Sequence, residues 1–235
     1  MRTRMGSRLS GGLLPGLQKM PGNKVSFGRP GIKYRLTEAD KLLSESDYKR
    51  VCQFFLERVR WQRPRKGPYW ALGKRDYVFV RTLAETGLRA SEAENLRWED
   101  VHSAARPAFL VARGGKWRKR AAIEADSIFF GDDLAELLEE WESIQRVYMP
   151  GTVGPFFDIS RRRAWQIVKR AVRALQLNPR ISPHTFRHYA ITSWCRVPGA
   201  SPYAVAKQAR LRSVELVLHY FHSSPAAQAE LVKGR

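Results

Sequence analysis

The apolar positions change their spacing along the chain, and the changes mark out its parts. Up to residue 35 no period is sustained, and Gly and Pro recur. From residue 36 a helical period sets in. Ser44 with Asp47 reads as an N-cap, followed by Tyr48, Val51, Phe54, Phe55 and Val59 on one helical face. Residues 61–73 are basic and rich in Pro and Gly, which reads as a loop. The spacing predicts that a helix resumes near Asp76, runs through Val78, Val80 and Leu83 to Thr86, and stops at Gly87. A second short helix is expected from Ser91 to Leu96.

The middle of the chain switches to strand-like runs, 108–112 and 120–123, with Gly114 and Gly115 between them as a hairpin signal. Beyond it the period is helical again. Residues 132–147 put Leu134, Leu137, Leu138 and Trp141 on one face, and residues 161–175 form a very basic helix. Further helices are expected at 184–196, 202–210 and 213–222. The fold class is therefore mainly α with a small antiparallel β-sheet (α+β). Residues 1–35 are expected to be a flexible basic tail, and 36–235 one domain.

Charge narrows the partner. Lys+Arg is 42 against Asp+Glu 22, a net +20. The tail has eight Lys/Arg and no acid, too few to account for the excess. Such a balance favours a polyanion, because each cation seated on a phosphate releases counterions. The two cysteines, Cys52 and Cys195, form neither a disulfide framework nor a zinc spacing. They fit a reducing, cytoplasmic setting. No apolar run approaches the ~18 residues of a membrane span.

Three short segments could carry chemistry. Pro183-His184-Thr185-Phe186-Arg187-His188 opens a helix, with His184 and Arg187 three apart on one face, so both could address one phosphate. Gly87-Leu88-Arg89-Ala90-Ser91-Glu92 is a sharp turn in which Glu92 could hold Arg89 as a phosphate clamp. Tyr220-Phe221-His222 lies near the C-terminus. Each alone is ordinary: a surface pair, a helix-start ion pair, a packed aromatic.

In their order along the chain the three resemble the catalytic domain of the tyrosine recombinase (phage integrase) family. The resemblance rests on Thr86-Gly87-Leu88-Arg89-Ala90-Ser91-Glu92 with Leu96-Arg97-Trp98-Glu99-Asp100, on Pro183 to His188, and on Tyr220-Phe221-His222, and it covers residues 40–225. It implies site-specific recombination of double-stranded DNA by transesterification without metal or cofactor. Tyr220 would attack the scissile phosphate and form a 3′-phosphotyrosine. Arg89 and Arg187 would hold the non-bridging oxygens. His184 would help take the phenol proton, and Glu92 would orient its neighbours. A homo-tetramer on DNA is implied as well. Other readings of the same residues are a weakened DNA-binding relative, or a DNA-relaxing enzyme resembling type IB topoisomerases.

The chain departs from the family pattern in three places. Arg113 stands where the family has a hairpin Lys, its general acid. Lys116 is the expected acid here, with Lys119 next, while Arg113, Arg118, Lys119, Arg161, Arg162 and Arg163 are expected on the DNA backbone. Leu211, nine residues before Tyr220, stands where the family has a hydrogen-bonding His or Trp; compensation by Arg210 or Arg212 is one outcome. A separate N-terminal core-binding domain is not evident.

Overall fold

The computed structural model describes residues 43–62, 67–113, 126–149 and 154–221. Eight helices are described: α1 (Glu45–Gln62), α2 (Pro68–Thr86), α3 (Ala90–Glu94), α4 (Asp132–Tyr148), α5 (Arg161–Ala174), α6 (Pro183–Cys195), α7 (Pro202–Gln208) and α8 (Glu215–Phe221). A 3₁₀ turn at Trp98–Asp100 leads into an antiparallel sheet of β1 (Val101–His102), β2 (Phe109–Ala112) and β3 (Asp126–Phe129), ordered as numbered. The expected mainly α fold with a small antiparallel sheet is what forms.

Helix α2 is the hub, packed against α1, α4 and α6. It begins at Pro68, not near Asp76 as the spacing predicts, so much of the expected loop 61–73 is helical. Pro68 sits at the first helical position, where no intrahelical N–H is needed. Charges hid the start. Lys74, Arg75 and Asp76 read as solvent-facing, yet all three are buried. Each is buried with a partner from another segment or beside it: Lys74 Nζ lies 2.5 Å from Glu140, and Asp76 meets Arg75 at 3.3 Å and Arg163 and Arg170 at 3.5 Å each. A helix surrounded by protein shows no polar stripe in its sequence.

That cluster makes a prediction. Replacing Asp76 by Asn leaves the buried Arg75 without its counter-charge, which is expected to cost about 3 kcal/mol. Urea denaturation of the variant would read this; a loss under ~0.5 kcal/mol would mean the cluster is solvated.

The other expected helices form close to where their patterns place them, while β1 and β3 are strands the spacing does not predict. Ser44 Oγ accepts from the Asp47 N–H at 3.0 Å, the expected cap of α1. Helix α4 buries Leu134, Leu138 and Trp141, and the Trp141 indole N–H donates to the Phe156 carbonyl at 3.1 Å. Helix α3 ends at Glu94, two residues before the expected Leu96. β2 pairs with β3, with Ala112 opposite Asp126. The expected strand 120–123 and the Gly114–Gly115 turn lie outside the described residues, as do the tail 1–35 and Lys116, Arg118, Lys119 and His222.

Two apolar clusters result. The larger joins α1, α2, α4, α5 and the sheet around Phe55, Phe79, Trp141, Phe156 and Phe157. The smaller lies among α6, α7 and α8, built on Ile191, Val205, Ala206, Ala209 and Val217. Among the described residues no helix is long and apolar enough to cross a membrane.

Candidate active site

Chemistry-bearing residues from four segments meet between the two clusters. The first is the corner between α2 and α3. Gly87 ends α2 with φ +59°, and its N–H closes on the Leu83 carbonyl. A side chain there would be strained, and a Cβ would sit 3.0 Å from the Trp194 ring. The turn sets Arg89 at the cap of α3. Its backbone N–H and its guanidinium both donate to Glu92, at 2.8 and 2.6 Å. The Arg89 side chain remains 41% exposed, while Glu92 is 4% exposed. A cation is thus fixed at its base and open at its outer edge.

Helix α6 brings the second group. Pro183 at its first position and the Ser182–Thr185 capping box start it on register. His184, Arg187 and His188 then share one face. Arg187 is 2% exposed. It donates to the Gly87 carbonyl at 2.6 Å and to the Ala209 carbonyl, and so ties α6 to both the α2–α3 corner and the end of α7. Burial, followed by Arg210 and Arg89, pulls its pKa down, while Glu92 and Tyr220 act the other way.

The third group is the turn after α7. The Arg210 N–H bonds the Lys207 carbonyl and the Leu211 N–H bonds the Ala206 carbonyl, the paired bonds of a Schellman ending. Arg210 takes the left-handed position, with φ +52°, where Gly is the usual occupant. Its guanidinium turns back onto Glu92 at 2.7 Å, and its side chain is 5% exposed. Leu211 follows in the apolar position of the motif and packs into the smaller cluster. The site therefore holds a third guanidinium beside the leucine. Sequence reasoning named Arg210 only as one option; its signal was the unfavourable φ, which no sequence pattern displays.

The fourth element is α8, which carries Tyr220. The ring is half-buried and packs against the smaller cluster. Its hydroxyl lies 2.5 Å from His188 Nδ1, and the two rings stack at 6.0 Å. His188, quoted in the sequence motif but given no role there, is thus the histidine on the hydroxyl. His184 sits one turn away, edge-on to His188 at 4.4 Å. Burial raises the Tyr220 pKa and Cys195 adds to this, while Arg187 opposes it. His188 is pushed down to about 4 by burial, His184 and Arg187. His184 keeps an exposed edge, yet the packing of its remaining surface, with Arg187 and Arg89, lowers it too. Both imidazoles are neutral at pH 7 and can accept protons.

The expected backbone-binding residues lie further out. Arg113, at the end of β2, is held by Asp100 and lies 3.8 Å from Glu99. Asp100 also accepts the Arg97 N–H at 3.0 Å, so the Leu-x-Trp-x-Asp segment anchors the hairpin base. Arg161, Arg162 and Arg163 open α5; Arg161 lies 3.5 Å from Glu94, and Arg162 is exposed. Among the described residues no group of His, Cys, Asp and Glu could hold a metal ion.

The chain is similar to known proteins in sequence and in fold. A tyrosine recombinase of Synechococcus elongatus is 29% identical over 170 residues, 68% of this chain and 51% of that protein. The tyrosine recombinase XerD of Mycobacterium tuberculosis is 28% identical over 137 residues, 57% of this chain and 42% of that one. The chain spans about half the length of these curated relatives. Among solved structures, the XerA recombinase superposes with a TM-score of 0.58 at 20% identity, over 88% of this chain and 65% of that one. The XerH site-specific recombinase bound to its difH substrate gives 0.60 at 15% identity, over 82% and 53%. At these identities the structures speak for the fold. The family model described as "Phage integrase family" matches residues 65–227, more than half of the sequence and all three motifs, and the chain belongs to that family.

Proposed function

We propose that this chain is a site-specific recombinase domain that cleaves and rejoins double-stranded DNA through a 3′-phosphotyrosine at Tyr220. The observation that carries the reading is a set of contacts: Tyr220 to His188, Arg187 and Arg210 both to the Gly87 carbonyl, and Arg210 and Arg89 both to Glu92. Residues up to 118 positions apart are brought together although three cations in one place repel. A fold that spends stability on gathering cations beside a hydroxyl has an anion as its natural ligand.

In this reading Arg89 and Arg187 hold the non-bridging oxygens and stabilise the charge of the pentacoordinate phosphorus. Glu92 fixes Arg89 and Arg210. Lys116 protonates the leaving 5′-oxygen, with Lys119 the next choice. Arg113, Arg118, Lys119, Arg161, Arg162 and Arg163 follow the phosphate backbone. Guanidinium groups supply the positive charge, so the scheme includes no metal or cofactor. Four copies acting together on two DNA duplexes, in the cytoplasm, complete the proposal, with residues 36–235 as the catalytic domain and 1–35 as a basic arm.

The test uses a pool of nicked duplexes of random sequence incubated with the full chain. Cleavage near the nick releases a short fragment and traps the enzyme on DNA. An SDS-stable adduct mapping to Tyr220 is expected, with none from Tyr220→Phe. Absence of an adduct from the unaltered chain, or its persistence in Tyr220→Phe, rejects the assignment.

A further inference from the structure

We propose that His188, rather than His184, is the group that takes the proton from Tyr220 in strand cleavage and returns it in rejoining. This rests on the recombinase reading above and assigns one step within it.

Geometry carries the argument. A proton acceptor must sit within hydrogen-bond reach of the proton it removes. His188 Nδ1 lies 2.5 Å from the Tyr220 hydroxyl oxygen. His184 is on the same face of α6 one turn earlier, edge-on to His188 at 4.4 Å. Arg187 and Arg89, the cations that would hold a phosphate in this reading, act on His184. The two histidines thus divide the work by position: His184 toward the phosphate, His188 on the nucleophile.

The step balances as follows. The Tyr220 O–H bond breaks and its proton goes to His188 Nδ1. The phenolate oxygen forms a bond to phosphorus. The bond from phosphorus to the 5′-oxygen breaks, and that oxygen takes its proton from the general acid, Lys116 in the scheme above. Rejoining reverses each transfer.

The charged and titratable groups that act on His188 and Tyr220 are His184 and Arg187 on α6 and Cys195 beside Tyr220, while Arg89, Glu92 and Arg210 act on Arg187 in turn. Burial, followed by His184 and Arg187, keeps His188 a weak base. A bound phosphate places negative charge among Arg89 and Arg187 and cancels much of that repulsion. The imidazolium formed on proton transfer then becomes affordable at the moment the substrate arrives.

Two measurements on the full chain decide the matter. The first needs no DNA. In ¹⁵N spectra of histidine-labelled protein, His188 Nδ1 should show an unprotonated nitrogen accepting a hydrogen bond, and Tyr220→Phe should shift it. An unmoved resonance, or a proton on Nδ1, overturns the proposal. The second uses a duplex selected by adduct formation from the random pool, with an oxygen or a sulfur at the bridging 5′ position. His188→Asn and His188→Gln should slow cleavage ~10²–10⁴-fold on both substrates alike. Sulfur leaves without a proton, so it rescues loss of the acid but not loss of the base. The variants' rates should also keep rising with pH where that of the unaltered chain has levelled. A rate within threefold in both variants, or rescue by sulfur, overturns the proposal. If the unaltered chain makes no adduct while the ¹⁵N pairing stands, the recombinase reading itself has failed, and the proton role with it.

Discussion

Replacing Arg187 by alanine is expected to lower strand cleavage by ~10³-fold or more, with a measurable loss of stability as well. The two effects have one origin. Arg187 is 2% exposed and donates to the carbonyls of Gly87 and Ala209. Truncation strands the Ala209 carbonyl in a dry site and leaves Gly87 only the longer bond from Arg210 at 3.3 Å, at about 1–3 kcal/mol for a lost partner. It also removes the cation that favours the ionised form of Tyr220. Arg187→Lys separates the contributions. An ammonium keeps the charge but is a single point and cannot span two carbonyls as a planar fork does. The lysine variant should therefore melt nearer the unaltered chain than the alanine variant does, yet still cleave at least tenfold more slowly. Single-turnover adduct formation at saturating DNA gives the rate, and a thermal melt checks the fold. An alanine variant that stays folded and cleaves within tenfold of the unaltered chain would remove Arg187 from the site.

The second large effect is expected at Glu92. This carboxylate is 4% exposed and accepts from Arg89 at 2.6 Å and from Arg210 at 2.7 Å. Glu92→Gln keeps the shape and removes the charge, leaving the buried Arg210 uncompensated. Breaking a buried pair in this way costs about 3–5 kcal/mol. It also loosens Arg89, so cleavage by the surviving folded protein should fall about tenfold or more. The pH dependence has a defined sign. Burial raises the Glu92 pKa, but Arg210, the Arg89 N–H and the Arg89 side chain together bring it below the ordinary value of 4.5. A carboxylate with a depressed folded pKa contributes stability that is full above its unfolded pKa and is lost as pH falls through its folded value. The gap in urea midpoint between the unaltered chain and Glu92→Gln should thus be constant from pH 5 to 7 and narrow below about pH 4.5. A gap independent of pH down to the acid transition would show that Glu92 acts by packing alone.

The two variants probe opposite sides of one device. Arg187 ties α6 to the turns after α2 and α7, and Glu92 ties the turn after α2 to the turn after α7. Arg210 accepts a left-handed backbone, at a cost on the order of 1 kcal/mol, to reach Glu92. Leu211 stands next to this guanidinium in the turn. It closes the Schellman turn by packing inward, and that turn aims Arg210 at the site.

What the sequence determined by itself is local. Gly87 stops α2 because only a left-handed residue fits there. Pro183 and Ser182 start α6, and a helical repeat then puts His184, Arg187 and His188 on one face whatever surrounds them. The order of the three motifs was enough to identify the family. What tertiary structure decided is every choice that depends on a partner distant in the chain. Helix α2 starts eight residues before its expected beginning because Lys74 and Asp76 find counter-charges on α4 and α5. His184 and His188 are one turn apart, about 6 Å along the axis. Which of them meets Tyr220 is set by where α8 crosses α6, and that follows from how Val205, Ala209 and Val217 fill the smaller cluster. No spacing within a segment carries that information, because it belongs to the packing between segments.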